Sequence, residues 1–252
     1  MLSNSIREFL VHYADQYETA SFLDGDPSWF MHQVSGTDNQ EAMALIAASL
    51  SYGSRQQFMK KIHTILDWTE GDVDNWIRKG DFNTHLRADD DSCFYRLFSC
   101  RTMHRFMNAY RQLLLDYGTL GEYVRAHAND GFSAVGAVCG YFASHDISGI
   151  IPKDTQSACK RICMFLRWMV RSDSPVDLGL WADFIDRRTL IMPLDTHVLQ
   201  QSVRLGLSTS RTASMSSARR LTAVLADIFP DDPLKGDFAL FGYGVNTAHD
   251  AE

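Results

Sequence analysis

A chain of 252 residues, 45% hydrophobic and 22% charged, is long enough for one large domain or two small helical lobes and has an ordinary globular composition. Its formal net charge of −7 argues against a nucleic-acid binder taken whole. No apolar run approaches the ~20 residues of a membrane span, so no membrane association is expected.

The charge is uneven. Residues 151–220 hold 11 Lys and Arg against 6 Asp and Glu, and the rest of the chain holds 13 against 25. A basic segment set in an acidic body can attract phosphate locally, or can be a plain pair of basic helices. The five cysteines (Cys93, Cys100, Cys139, Cys159 and Cys163) are odd in number and lie in helix-like text, so reduced thiols and a cytoplasmic location are expected. Cys159 and Cys163 are four apart with no further Cys or His to complete a set, so neither metal nor cofactor is expected. The first residues, MLSNSIREFLVHYADQY, read as an amphipathic helix and not as a signal peptide.

Almost every periodic segment has helical spacing and no hairpin stands out, so the fold class is all-α. The spacing predicts a first helix over about 4–17, then a turn-rich loop at Phe22–His32 with an Asp-Pro signal. Asp38 with Glu41 three residues later has the pattern of a capping box. It precedes EAMALIAASLSYG, apolar on all sides and therefore a buried central helix. Gly53-Ser54-Arg55 breaks that helix before QQFMKKIHTILDW, leaving a polar tip that is a plain turn or a part that reaches a partner. Residues 70–92 are polar, with helix only near 73–79. Further helices are predicted from Phe94 to Tyr117, closed at Gly118, then over Leu120–Ala126 and Phe132–Ser144. A loop at Ser148–Asp154 leads to a helix over 156–171 and a short helical turn in DLGLW. Met192-Pro193 enforces an extended entry to a helix over 196–205, stopped by Gly206. Ser216–Ile228 is helical, PDDP is a stop, and Asp237–Val245 forms a last apolar helix.

The stretch from Ser148 to Gly206 carries two helix starts with chemistry on them. Asp195 follows the apolar approach LIMPLD. Asp is a favoured helix cap, and a carboxylate held there also stabilises a nearby cationic transition state. Lys160 opens the other helix beside Arg161. A neighbouring positive charge, a helix N-terminus and partial burial favour the neutral amine, which is a nucleophile; a solvated lysine on a basic face is the plainer alternative. Arg167 and Arg171 lie seven and eleven positions further on, as phosphate contacts or as surface ion pairs.

LIMPLDTHVLQQSVRLG resembles the region around the active-site aspartate of the helix-hairpin-helix superfamily of DNA glycosylases, and ALIAASLSYGSRQQFMKKI resembles that superfamily's early helix and turn. CKRICMFLRWMV is similar to the helix that begins with the lysine nucleophile of its bifunctional members. The whole chain resembles a bacterial family of uncharacterised proteins related to the 8-oxoguanine glycosylase and endonuclease III-like branches. The resemblance implies a single helical domain over 1–252 with two lobes, about 30–145 as the central lobe and 1–29 plus 146–252 as the lobe carrying the site. It implies a monomer acting on damaged DNA, with Lys160 and Asp195 catalytic. Gly53, Ser54, Arg55 and Gln56 match the tip that enters the gap left by an extruded nucleotide, because the glycosidic carbon cannot be reached inside a duplex. Lys153, Arg161, Arg167 and His197 are candidate DNA contacts, Lys153 is a rival for the amine, and Trp168, Trp181 and Phe241 are candidates for base stacking or core. Two departures stand: the stretch equivalent to the family's glycine hairpin keeps only Gly149, and Lys160 and Asp195 are 35 positions apart, longer than usual.

Two other readings remain open. One is a catalytically inactive helical nucleic-acid-binding or scaffold protein. The other is a helical metal-dependent phosphohydrolase using His104, His127, His145, Asp146 and Asp195.

Overall fold

The computed structural model describes residues 3–147 and 149–249. In chain order the elements are α1 (Asn4–Tyr17), α2 (Thr37–Leu50), α3 (Arg55–Thr69), α4 (Val73–Lys79), β1 (Cys93–Tyr95), β2 (Phe98–Ser99), α5 (Cys100–Tyr117), α6 (Leu120–His127), α7 (Gly131–Ala143), α8 (Lys160–Val170), α9 (Thr196–Arg204), α10 (Met215–Ala226) and α11 (Lys235–His249). The chain is mainly helical, as its spacing requires. Among the described residues no helix is long and apolar enough to cross a membrane.

The chain divides into two compact units. Unit 1 gathers the described residues of 1–24, 130–135 and 155–252, and unit 2 those of 25–129 and 136–154. Relative to the expected lobes, residues 25–29 and 146–154 fall in unit 2 and 130–135 in unit 1. The predicted loop at Ser148–Asp154 begins on a residue outside the described ones, and Met1 and Leu2, ahead of the first predicted helix, also lie outside them.

Unit 2 is built around α2. Ala42–Ala48 and Leu50 have no solvent exposure, which is why this helix is apolar on every side. The expected capping box does not form. The helix begins at Thr37 after Gly36, without a side-chain cap. Glu41 is buried and accepts hydrogen bonds from the N–H groups of Leu120 (2.7 Å) and Gly121 (3.0 Å), so it caps α6 instead. Phe22–His32 is not irregular loop: short 3-10 helices occupy Ala20–Leu23 and Pro27–His32, the second capped by Asp26. The helix expected from Phe94 starts only at Cys100, because β1 and β2 pair antiparallel first, Cys93 opposite Ser99 and Tyr95 opposite Phe98. Aromatic packing outweighs helical spacing there: Tyr95 and Phe98 both lie 5.1 Å from the Tyr52 ring.

In unit 1, α1 packs along α11, with Phe9 and Tyr13 against Tyr243. Residues Ile162–Val170 of α8 are all buried. The expected helix over 156–171 begins later, at Lys160, because the preceding segment is extended: Ser157 forms a β-bridge with Ser214. At the other end, the N–H groups of Leu178 and Trp181 donate to the carbonyls of Trp168 (2.8 Å) and Met169 (2.7 Å). DLGLW therefore lies against the end of α8 and satisfies its last carbonyls, and the expected turn comes at its end, where the Ala182 N–H donates to the Gly179 carbonyl at 3.2 Å.

Candidate active site

Two chain segments converge on the site within unit 1. The first is the start of α8. Cys159 adopts the left-handed conformation (φ 46°), and its carbonyl accepts from the N–H groups of Ile162 and Cys163, both at 2.9 Å. Burial of Ala158, Cys159, Ile162 and Cys163 fixes this turn, so Lys160 is the first helical residue and its side chain keeps partial access to solvent. Burial also pushes the Cys163 thiol well above its ordinary range, so it stays protonated as a packing group.

The second segment is the entry to α9. Leu190, Ile191, Met192 and Leu194 are buried in extended chain, and Pro193 holds Met192 out of helical geometry. The Met192 N–H donates to Thr222 Oγ1 at 2.9 Å, tying the segment to α10. Asp195 is then the helix cap: its Oδ1 accepts from the Val198 N–H at 2.9 Å. Its other oxygen, Oδ2, lies 3.4 Å from Lys160 Nζ. The two side chains are 35% and 34% exposed, so the pair is partly open to solvent.

A second acidic group acts on the pair. Asp237, in the first turn of α11, is buried and takes a 2.5 Å ion pair from Arg167 Nη1. Burial raises its carboxyl above the usual range; Arg167 and Lys160 oppose that shift and Asp195 adds to it. Sequence reading did not single out Asp237. The available signal was one carboxylate opening an otherwise apolar helix, DFALFGYG.

Arg167 is not a phosphate contact, contrary to expectation. Its side chain is 4% exposed and spans Asp237 and Asp177, the latter at 3.2 Å, over the Phe238 ring. Arg171 is likewise buried, with Asp232 (2.7 Å), Glu18 (2.6 Å) and Asp177 as partners. Nor are Trp168 and Trp181 stacking platforms: they are 0% and 2% exposed, and Trp181 packs edge-on against Phe165. Phe241 is half-buried against the edge of Phe22 at 5.0 Å. Arg161 is half-buried beside Lys160, and His197 is exposed two positions after Asp195.

In unit 2, Gly53, Ser54, Arg55 and Gln56 form an exposed tip. The tip is braced by the β1–β2 hairpin: the Tyr95 hydroxyl donates to the Tyr52 carbonyl, and Arg96 covers Gly53 so closely that a Cβ there would meet its Nη1 at 2.8 Å. Arg55 lies 3.9 Å from Asp26. Lys153 is exposed and belongs to unit 2.

Among the described residues no group of three or more His, Cys, Asp or Glu could hold a metal. His104 is engaged by Asn83 Oδ1 at 2.8 Å, His127 by the Tyr123 carbonyl at 2.7 Å, and His145 lies over Tyr141, so the phosphohydrolase reading lacks its ligand set. A cavity of about 600 Å³ in unit 1 is lined by Asp15, Glu18, Asp173, Asp231 and Asp232 with Arg171, Arg187 and Lys235, but not by Lys160 or Asp195. Its carboxylate excess is the wrong sign for a phosphate backbone.

Residues 26–246 match the family model described as Protein of unknown function (DUF2400). Neither a curated protein nor a solved structure matches the chain.

Proposed function

We propose that this chain, which belongs to that family of proteins of unknown function, is a DNA glycosylase with lyase activity on oxidised purines. The observation that carries the reading is the amine–carboxylate pair, Lys160 Nζ and Asp195 Oδ2 at 3.4 Å, each at a helix start and each about one-third exposed. An isolated exposed ion pair contributes only about 0–1 kcal/mol, so stability alone is a weak reason for this placement.

The pair suits attack on an electrophilic sugar carbon. Asp195 Oδ2 accepts a proton from the Lys160 ammonium. The amine lone pair bonds to C1′ while the C1′–N bond breaks, and that electron pair leaves with the base. The attacking nitrogen gives its surplus proton to the departed base; the C1′–O4′ bond of the N,O-acetal then breaks as O4′ takes the proton held by Asp195, leaving a protonated Schiff base. The regenerated Asp195 carboxylate takes a C2′ proton as the C3′–O bond breaks and the 3′ phosphate leaves. The Asp195 carboxylate also stabilises the positive charge that develops on the sugar. Its Oδ1 is held by Val198, so it performs this with little reorganisation. Arg161 and His197 flank the pair as contacts for the backbone of the attacked strand.

Sodium borohydride reduces a Schiff base to a stable amine, so the test is trapping. Duplexes bearing 8-oxoguanine or an abasic site should give a covalent adduct with the wild-type chain and none with Lys160→Ala. Asp195→Asn should trap about 10²–10⁴-fold more slowly. Absence of a wild-type adduct, or an undiminished adduct with Lys160→Ala, rules the reading out.

A further inference from the structure

Residues 196–226 contain no Asp or Glu, the longest such run in the chain, yet they hold Arg204, Arg211, Arg219 and Arg220. Among the described residues none of the four takes an ion pair. In the same unit Arg167, Arg171 and Arg188 are all neutralised by carboxylates. The four arginines are exposed.

Hydroxyl groups fold the middle of this run into a fixed shape. The N–H groups of Leu207 and Ser208 donate to the Ser202 carbonyl at 2.8 and 3.2 Å, which turns the chain at the end of α9. The Ser210 hydroxyl donates to the Thr212 carbonyl at 3.1 Å. Ser210 Oγ and Arg220 Nη2 both meet Ser217 Oγ, at 2.7 and 3.3 Å. The Arg220 guanidinium therefore stands close to Ser210, and Arg211 is the next residue along. Thr212 and Ser216 are exposed on either side of Ser214, which caps α10. Arg219 lies instead over the Phe132 ring at 4.6 Å. The bridge between Ser214 and Ser157 sets this loop beside the chain that enters α8, three residues before Lys160.

Two cations held near one another with no anion between them call for a polyanion. A guanidinium offers a planar fork of donors that suits a phosphate, and hydroxyls add further donors to the same group. Between residues 207 and 220 no large apolar residue is exposed, whereas a lipid surface would need one to anchor the loop.

We propose that Arg211 and Arg220, with the hydroxyls of Thr212 and Ser216, form a clamp for the phosphate backbone of DNA, one guanidinium to a phosphate. The clamp positions the strand and reads no sequence. That the polyanion is DNA rests on the proposed function; that this loop holds it rests on the unpaired arginines.

Fluorescence anisotropy of the full chain with labelled, undamaged duplexes of unrelated sequence, taken over a range of salt, tests the clamp. The slope of log affinity against log salt should become shallower by about 1 in Arg211→Ala and in Arg220→Ala, and by about 2 in the double variant, for every sequence alike. Arg188→Ala, whose charge Asp186 already neutralises, should keep the wild-type slope. Both clamp arginines are exposed and Arg220 touches only a hydroxyl, so these variants fold. A double variant with the wild-type slope, or one that loses affinity for a single sequence, overturns the proposal. A wild-type chain that floats with phosphatidylglycerol vesicles and ignores the duplexes overturns it as well. Borohydride trapping separates the clamp from the chemistry. Should the wild-type chain give no adduct while the slopes change as expected, the glycosylase reading falls and the clamp stands. Should adducts form while the slopes stay put, the clamp alone falls.

Discussion

Asp195 divides its two oxygens between different tasks. Oδ1 ends a helix and Oδ2 faces an amine, so the position that a cap demands and the position that a base demands coincide. That coincidence made it legible in the sequence, since capping residues are conspicuous after an extended X-Pro entry. Lys160 was legible for a similar reason, as the lysine opening a strongly patterned helix. Arg167 was not: a long basic side chain in a basic stretch looks like a phosphate ligand, and only burial on every side of α8 turns it inward. Asp130 shows how much one cap contributes when no chemistry is attached. Its Oδ1 accepts from the Ser133 N–H (2.7 Å) and hydroxyl (2.6 Å), and the Ser133 side chain, then its backbone, hold the carboxyl below the ordinary range. A carboxyl depressed on folding adds stability above the unfolded value near 3.8 and loses it as pH falls through the lower folded value. Asp130→Ala should therefore cost about 1 kcal/mol at pH 7, and the urea midpoints of variant and wild type should converge as the pH falls through the lower folded value. A gap that widens in acid would refute this account of the cap.

Among the elements, the approach to α9 matters most, because its course decides where Asp195 points. Two anchors hold it, the Met192 N–H on Thr222 and the first turn of α7 on Thr189. At the second anchor the Gly131 N–H donates to Thr189 Oγ1 at 2.8 Å, and a Cβ on Gly131 would lie 2.5 Å from the Thr189 carbonyl oxygen and 2.8 Å from Leu190 Cα. Both obstacles are backbone, which cannot rotate away. Gly131→Ala should cost about 1–3 kcal/mol in urea unfolding and, by shifting the Leu190–Leu194 run, slow borohydride trapping at fixed folded protein. Normal trapping by the folded variant would show that the approach is not set there. Elements of this kind were readable where apolar spacing and a stop residue agreed, as for α1, α4, α9 and α10. They were misread where a long-range contact overrides local text: Tyr52 draws residues 93–99 into a hairpin, and Ser214 draws Ser157 into a bridge that delays α8. Neither partner is close in sequence, so no local pattern announces the pairing.

For the whole molecule, the uneven charge of the sequence has an internal destination. The basic excess of residues 151–220 looks like an electropositive surface, yet Arg167 and Arg171 spend their charge inside unit 1 on Glu18, Asp232 and Asp237, all from outside that segment, and on Asp177. Fewer cations are left to neutralise phosphates, so any DNA binding should weaken with salt less steeply than the segment's arginine count suggests. The network has a structural consequence as well. Burial opposes the charge on Arg171, but Asp177, Asp232 and Glu18 together outweigh it and hold the proton more firmly. Burial raises Asp177 in turn, against the pull of Arg167 and Arg171. Removing the shared cation leaves up to three carboxylates desolvated without their partner, and breaking a buried pair in this way costs about 3–5 kcal/mol. Arg171→Ala should lower the free energy of unfolding in urea by that amount, whereas Arg188→Ala, which breaks only the exposed pair with Asp186 at 2.6 Å, should leave it unchanged. Equal effects from the two substitutions would mean that water reaches Arg171 and that the network does not organise unit 1.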